Sequence, residues 1–199
     1  MWQKIKILKG LEAGFQPHIT EELSKNINSF AFDFVINSVH VIDKIHAGED
    51  EYFSSKTQHK AYKIYLEEVY VSVCKFKNYD VIGHIGFVRR YGNFLDRSMK
   101  FSEYKEVLDE ILKQVVKDDK GIEINSSGYR GVLKTPIPDY DIVNRYIQLG
   151  GEIITLGSDS HVTGTNASNF NFVKEKLKDL NFKYTAYFEN RKPKFIKLK

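Results

Sequence analysis

Five side chains able to hold a metal ion or move a proton recur in one kind of setting along this chain. Asp159 and His161 close the stretch Ile153-Ile154-Thr155-Leu156-Gly157-Ser158-Asp159-Ser160-His161. Glu12 stands in Gly10-Leu11-Glu12-Ala13-Gly14, His40 ends residues 32–40, and His84 follows Val81-Ile82-Gly83. Each sits at the end of a short, mostly apolar run of the kind read as a strand buried on both faces. In a parallel sheet such ends share one face, where α/β proteins commonly build their sites. If extended backbone persists beyond Gly157, Asp159 and His161, at i and i+2, point into the same pocket. A surface Glu or a hydrogen-bonded core His explains any one of these residues alone; the repeated placement is harder to explain that way. With no sulfur involved, two carboxylates and three imidazoles form a donor set for Zn²⁺, Mn²⁺ or Fe.

A second group suits an anion. Ser126-Ser127-Gly128-Tyr129-Arg130 offers backbone donors, two hydroxyls and a guanidinium, all fitted to a phosphate. Arg89-Arg90 can serve an anionic substrate at the mouth of the site or form a solvated basic patch, and the second is the expectation for an unplaced pair.

The elements that must position these groups follow from periodicity. Ile5-Lys6-Ile7-Leu8, within a run starting at Lys4, reads as a strand leading into Gly10–Gly14. A loop and short helix occupy residues 18–30, with Thr20 as N-cap and Glu21 and Glu22 in the first turn. Residues 57–75 are helical, with Tyr62, Tyr65, Leu66, Val69, Tyr70, Val73 and Cys74 on one apolar face. Residues 102–117 form the clearest amphipathic helix, capped by Ser102 and ended by Gly121 in the left-handed conformation. Ile122-Glu123-Ile124-Asn125 is a further strand, followed by helices over residues 141–149 and 170–180. A hairpin around Asn190-Arg191-Lys192-Pro193 closes the chain. Strands separated by helices predict a parallel α/β architecture, closed or nearly closed into a barrel.

Composition narrows the function classes. The chain has 199 residues, room for one large domain, which is the expected organisation over residues 1–199. Thirty basic against 26 acidic residues leave a net charge of +4, too small an excess to imply nucleic acid. Cys74 is the only cysteine, so no intrachain disulfide and no cysteine zinc site can form, and a reducing cytoplasm is the simplest setting. No apolar run approaches a membrane span, and Met1 to Leu8 lack the apolar core of a signal peptide.

Taken in order, Gly10-Leu11-Glu12-Ala13-Gly14, Ser38-Val39-His40, Gly83-His84-Ile85 with Arg89-Arg90-Tyr91, Glu123-Ile124-Asn125-Ser126-Ser127-Gly128, residues 149–161 and Arg191-Lys192-Pro193 resemble the histidinol-phosphatase branch of the polymerase-and-histidinol-phosphatase superfamily. The resemblance implies a distorted (β/α)₇ barrel with two or three divalent metal ions, hydrolysing phosphate monoesters. In this branch the reaction converts L-histidinol phosphate to L-histidinol in histidine biosynthesis. Carried across, Glu12, His40, His84, Asp159 and His161 occupy metal-ligand positions. Glu12, His84 and Asp159 form the expected catalytic set, and Arg130, Arg90 and Asn125 lie near the phosphate of a small phosphorylated substrate. The family's His-x-His pair is absent, since the sequence opens where a third family strand belongs, and Gly86 stands where the branch has Asp. A barrel lacking about two strands is expected to expose sheet edges, through which homo-oligomers can form. The alternatives are a non-catalytic remnant that acts by binding, or a phosphoesterase of the same superfamily with another substrate.

Overall fold

The structure, a computed structural model, describes residues 5–199; Met1 to Lys4, including the first residue of the expected Lys4 strand, lie outside the described residues. In chain order the elements are β1 (Gly10–Gly14), α1 (Thr20–Asn28), β2 (Phe34–Ser38), the short hairpin β3 (Val41–Ile42) and β4 (Ile45–His46), α2 (Asp50–Phe53), α3 (Gln58–Lys75) and β5 (Val81–Ile82). They continue with α4 (Lys105–Lys117), β6 (Gly121–Asn125), α5 (Tyr140–Gln148), β7 (Ile154–Gly157), α6 (Phe170–Asp179), β8 (Tyr184–Glu189) and β9 (Lys192–Lys197). The main sheet runs β1-β2-β5-β6-β7-β8-β9, and β3-β4 stands apart. Every neighbouring pair from β1 to β8 is parallel, and only β8–β9 is antiparallel.

The expected alternation of strand and helix is therefore present, and the sheet stays open between β1 and β9 among the described residues. Its ends nevertheless approach each other. Asn190 and Arg191 both have positive φ (49° and 63°), the conformation of a two-residue hairpin turn. That turn reaches back to the start of β2: Asn190 N–H donates to Asp33 Oδ1 at 3.0 Å and Arg191 N–H to the Asp33 carbonyl at 2.9 Å. Phe188 stacks on Phe34 with ring centroids 5.1 Å apart. Lys192 and Pro193, expected in the turn, belong to β9, an edge strand where proline is tolerated.

The core lies between the sheet and the helices on its outer side. Ala61, Tyr62, Tyr65, Leu66, Val69, Ser72 and Val73 are the buried residues of α3, while Tyr70 and Cys74 lie at the rim of that face, only half-buried. In α4 the buried set is Leu108, Asp109, Ile111, Leu112 and Val115. Asp109 is there because Arg145 of α5 meets it at 2.7 and 3.0 Å, tying the two helices together.

Local differences from the sequence reading have simple causes. Ile5 and Ile7 are 88% and 86% exposed and lie outside any strand, β1 beginning only at Gly10 where it meets Phe34. Thr20 is the first residue of α1 rather than its cap, and its hydroxyl donates back to the carbonyls of Gln16 and Pro17. Ser102 lies in a 3₁₀ turn, so α4 starts at Lys105 without a side-chain cap. The left-handed residue after α4 is Asp119 (φ 53°), and Gly121 already pairs with Val81.

Asp80, 5% exposed and just ahead of β5, accepts the Val35 N–H at 2.7 Å and Arg191 Nε at 2.6 Å. Asp80→Ala leaves a backbone donor and a guanidinium without their acceptor, and a loss of about 2–4 kcal/mol is expected in urea unfolding at neutral pH. Asp109 is held below the ordinary carboxylate range, chiefly by its hydrogen bond from Arg145. A depressed folded-state value stabilises above the unfolded-state value of about 3.9, and that contribution is lost as pH falls. The stability gap between wild type and Asp109→Asn should accordingly narrow from about pH 6 to about pH 3.

Candidate metal centre and anion site

Glu12 projects from the middle of β1, His40 stands two residues beyond β2, and His84 two residues beyond β5. Parallel pairing brings them to one place. His84 Nε2 lies 2.9 Å from Glu12 Oε1, His40 Nε2 3.3 Å from the same oxygen, and the two imidazole nitrogens are 3.3 Å apart. Ligand atoms at zinc bond lengths of about 2.0–2.1 Å in a tetrahedron stand about 3.3–3.4 Å apart, so this triangle is nearly the face of such a site. Three protein ligands would leave a fourth position open, the arrangement of catalytic rather than structural ions. Hydrogen bonds from His40 and then His84 hold the Glu12 carboxyl far below its usual range, against the opposing effect of burial. Glu12 therefore offers a carboxylate beside two ring nitrogens, each of which can coordinate a cation once its Nε2 proton is lost.

Phe87, 5% exposed, supports this cluster. Its ring meets His40 edge-on at 4.7 Å, His84 at 5.1 Å, and carries the Arg90 guanidinium at 5.2 Å. His84 has a positive φ of 21° and only 3% exposure, so its ring is fixed by packing. Gly86, two residues on, has φ +108°, a conformation that suits glycine and disfavours Asp.

Beside the triad lies a polar arm. Arg90 Nη2 is 2.6 Å from Ser127 Oγ, 2.5 Å from Asp159 Oδ2 and 3.4 Å from Asn125 Oδ1. Asn125, 2% exposed, also accepts the Ser127 N–H at 3.0 Å. Arg130 stands at the exposed rim and donates to the carbonyls of Ser158 (2.6 Å) and Asp159 (3.1 Å). Arg89 turns the other way and is buried, held by Asp139 at 3.0 Å, Thr135 and the Arg97 carbonyl. The arginine pair is thus no solvated patch: one residue anchors loops and its neighbour faces the site.

The structure brings Glu12, His40 and His84 together, and among the described residues no other three or more His, Cys, Asp or Glu side chains converge so closely. Asp159 has φ 47°, so extended backbone ends before it, yet the two side chains still meet, with His161 Nδ1 3.5 Å from Asp159 Oδ1. Burial opposes ionisation of Asp159, but the Arg90 charge and hydrogen bond keep its carboxyl below the ordinary range. The His161 side chain is 86% exposed, with Nδ1 3.1 Å from the Asp159 carbonyl.

One residue of the site had no role in the sequence reading. Glu123 is 5% exposed on β6, accepts the His84 N–H at 3.0 Å, and is pushed above its ordinary range by burial. Its signal was available, since a carboxylate two residues before Asn125 on a buried strand shares that residue's face.

A family model described as the PHP domain matches residues 2–127. The chain belongs to the PHP domain family. Within that family it is 36% identical over 190 residues to a histidinol-phosphatase of Lactococcus lactis, spanning 95% of this chain and 70% of that protein. It is 30% identical over 193 residues to the Clostridium acetobutylicum protein named probable histidinol-phosphatase, covering 74% of it. Among solved structures, histidinol phosphate phosphatase from L. lactis, complexed with zinc, L-histidinol and phosphate, superposes with a TM-score of 0.89 at 35% identity, covering 96% of this chain and 73% of that one. A Listeria monocytogenes structure at 20% identity and TM-score 0.70 shares the fold. The PHP architecture expected from the motifs is therefore the architecture of this chain.

Titration of purified protein with Zn²⁺ should give saturable binding that is abolished in His84→Ala and weakened in Glu12→Gln. His161→Ala, altering an exposed ring, should leave the ion at the triad in place; calorimetry reads all three.

Proposed function

We propose that this chain is a metal-dependent phosphate-monoester hydrolase that converts L-histidinol phosphate and water to L-histidinol and phosphate, a step of histidine biosynthesis. The observation that carries the reading is the meeting of two features on one sheet face: the Glu12–His40–His84 triangle and, beside it, the Arg90–Ser127–Asn125 arm. Similarity over 95% of the chain to a histidinol-phosphatase, and to a structure complexed with zinc, L-histidinol and phosphate, supports the substrate.

In this reading Glu12, His40 and His84 hold the first divalent ion, Zn²⁺, Mn²⁺ or Fe, and Asp159 and His161 serve one or two more. A bound ion lowers the pKa of water and offsets charge on phosphoryl oxygens. Arg90 and Arg130 supply charge-assisted donors to the non-bridging oxygens, with the Asn125 amide beside them. Arg90 is now paired with Asp159, so an incoming phosphate competes for a guanidinium already aimed at the site. Phe87 keeps that guanidinium and both imidazoles at fixed spacing, which lowers the entropy to be lost on binding.

The test is phosphate release from L-histidinol phosphate with Mn²⁺ or Zn²⁺ added. Turnover is expected, with His40→Ala and His84→Ala inactive. Arg90→Ala should raise KM about tenfold, as befits a charge-assisted contact worth about 1.5 kcal/mol. Absence of turnover with either metal would overturn the proposal, and release from other phosphate esters but not this one would replace the substrate.

A further inference from the structure

We infer that Glu123 is a positioning residue that couples the metal triad to the anion arm. The inference rests on the functional reading above for the identity of those two sites, and on geometry for the coupling. Glu123 Oε2 accepts the backbone N–H of His84 at 3.0 Å and lies 3.4 Å from the side-chain Nδ2 of Asn125. The first contact holds the segment that delivers His84 Nε2 to Glu12. The second sets which way the Asn125 amide faces. With Nδ2 turned toward the carboxylates of Glu123 and Asp159, Oδ1 is turned toward Ser127 and Arg90.

Gly157 completes the device. It faces Asn125 across the β6–β7 ladder, and a Cβ built on it would fall inside the Glu123 carboxylate. The glycine therefore leaves room for this carboxylate to reach both donors. A buried acceptor serving two sites at once is a shell of the kind that orients ligands and is felt in metal affinity.

The experiment uses the purified full chain, Co²⁺ as the metal with its visible spectrum as readout, and inorganic phosphate at saturating Co²⁺. Glu123→Met, similar in size but unable to accept, should weaken Co²⁺ binding about tenfold or more, alter the Co²⁺ spectrum, and weaken phosphate to a similar degree. Glu123→Gln, whose amide oxygen can accept from the same two donors, should restore both affinities to within a few-fold. Asn125→Ala should weaken phosphate alone. Gly157→Ala should reproduce the paired losses in the wild-type background and add nothing in Glu123→Ala, a non-additivity expected only if the methyl acts through the carboxylate. That cycle decides the matter should Glu123→Met fail to fold.

A folded Glu123→Met that retains either affinity overturns the inference while leaving the substrate proposal standing. Wild-type protein that binds Co²⁺ and phosphate but releases none from L-histidinol phosphate defeats the substrate and leaves the coupling intact. Wild-type protein that binds neither defeats both.

Discussion

Parallel hydrogen bonding from β1 through β8 is the constraint on which the rest of this molecule depends. It sends the carboxyl ends of successive strands to one side of the sheet, so residues 72 positions apart, Glu12 and His84, become neighbours at 2.9 Å. The same rule puts Asn125, the last residue of β6, next to Arg90 from the segment after β5. The opposite side carries a different kind of polar group. Asp33 and Asp80, each just ahead of its strand, accept from the backbone and tie down the Asn190–Arg191 turn. Charge thus serves binding at one end of the strands and cohesion at the other, with an apolar core between the sheet and its helices.

Much of this was legible in the amino-acid order because strands buried on both faces write themselves as short apolar runs. Phe34–Ser38, Val81–Ile82, Gly121–Asn125 and Ile154–Gly157 all stand where the runs placed them. Glu12, His40 and His84 were recognisable because each interrupts or ends such a run. What could not be read was conformation at single residues beyond a strand. Asp159 adopts φ 47° instead of continuing the strand, and its carboxylate meets Arg90 through Oδ2 while the largely exposed His161 ring lies 3.5 Å from Oδ1. Helix starts failed for local reasons: the Thr20 hydroxyl donates back to the Pro17 carbonyl, and Ser102 lies in a 3₁₀ turn ahead of α4. The run at Ile5 to Leu8 has strand composition but no partner among the described residues, and composition alone does not supply a ladder.

Arg89 and Arg90 show how little a shared residue type says about environment. Adjacent in sequence on one 3₁₀ turn, they point to opposite sides of it. Arg89 spends its donors on Asp139, Thr135 and a carbonyl, all within the protein. Arg90 spends its own on Ser127, Asp159 and the Phe87 ring, groups that line the site. A basic patch was the simpler expectation because an unpaired arginine prefers water; burial of the first is offset by a partner on each of its three side-chain nitrogens.

Glu12, the carboxylate common to both short contacts of the triad, sits on β1, which among the described residues is hydrogen-bonded along one side only, to β2. Strands so placed open locally at lower free energy than those in the middle of a sheet. An ion shared by Glu12, His40 and His84 would bind only when β1 is docked, and so would add its binding free energy to the cost of peeling that strand away. Amide exchange along Leu11 to Ala13 and occupancy of the metal centre are therefore two faces of one equilibrium, in which an edge strand of the sheet would be kept in register by the group it carries.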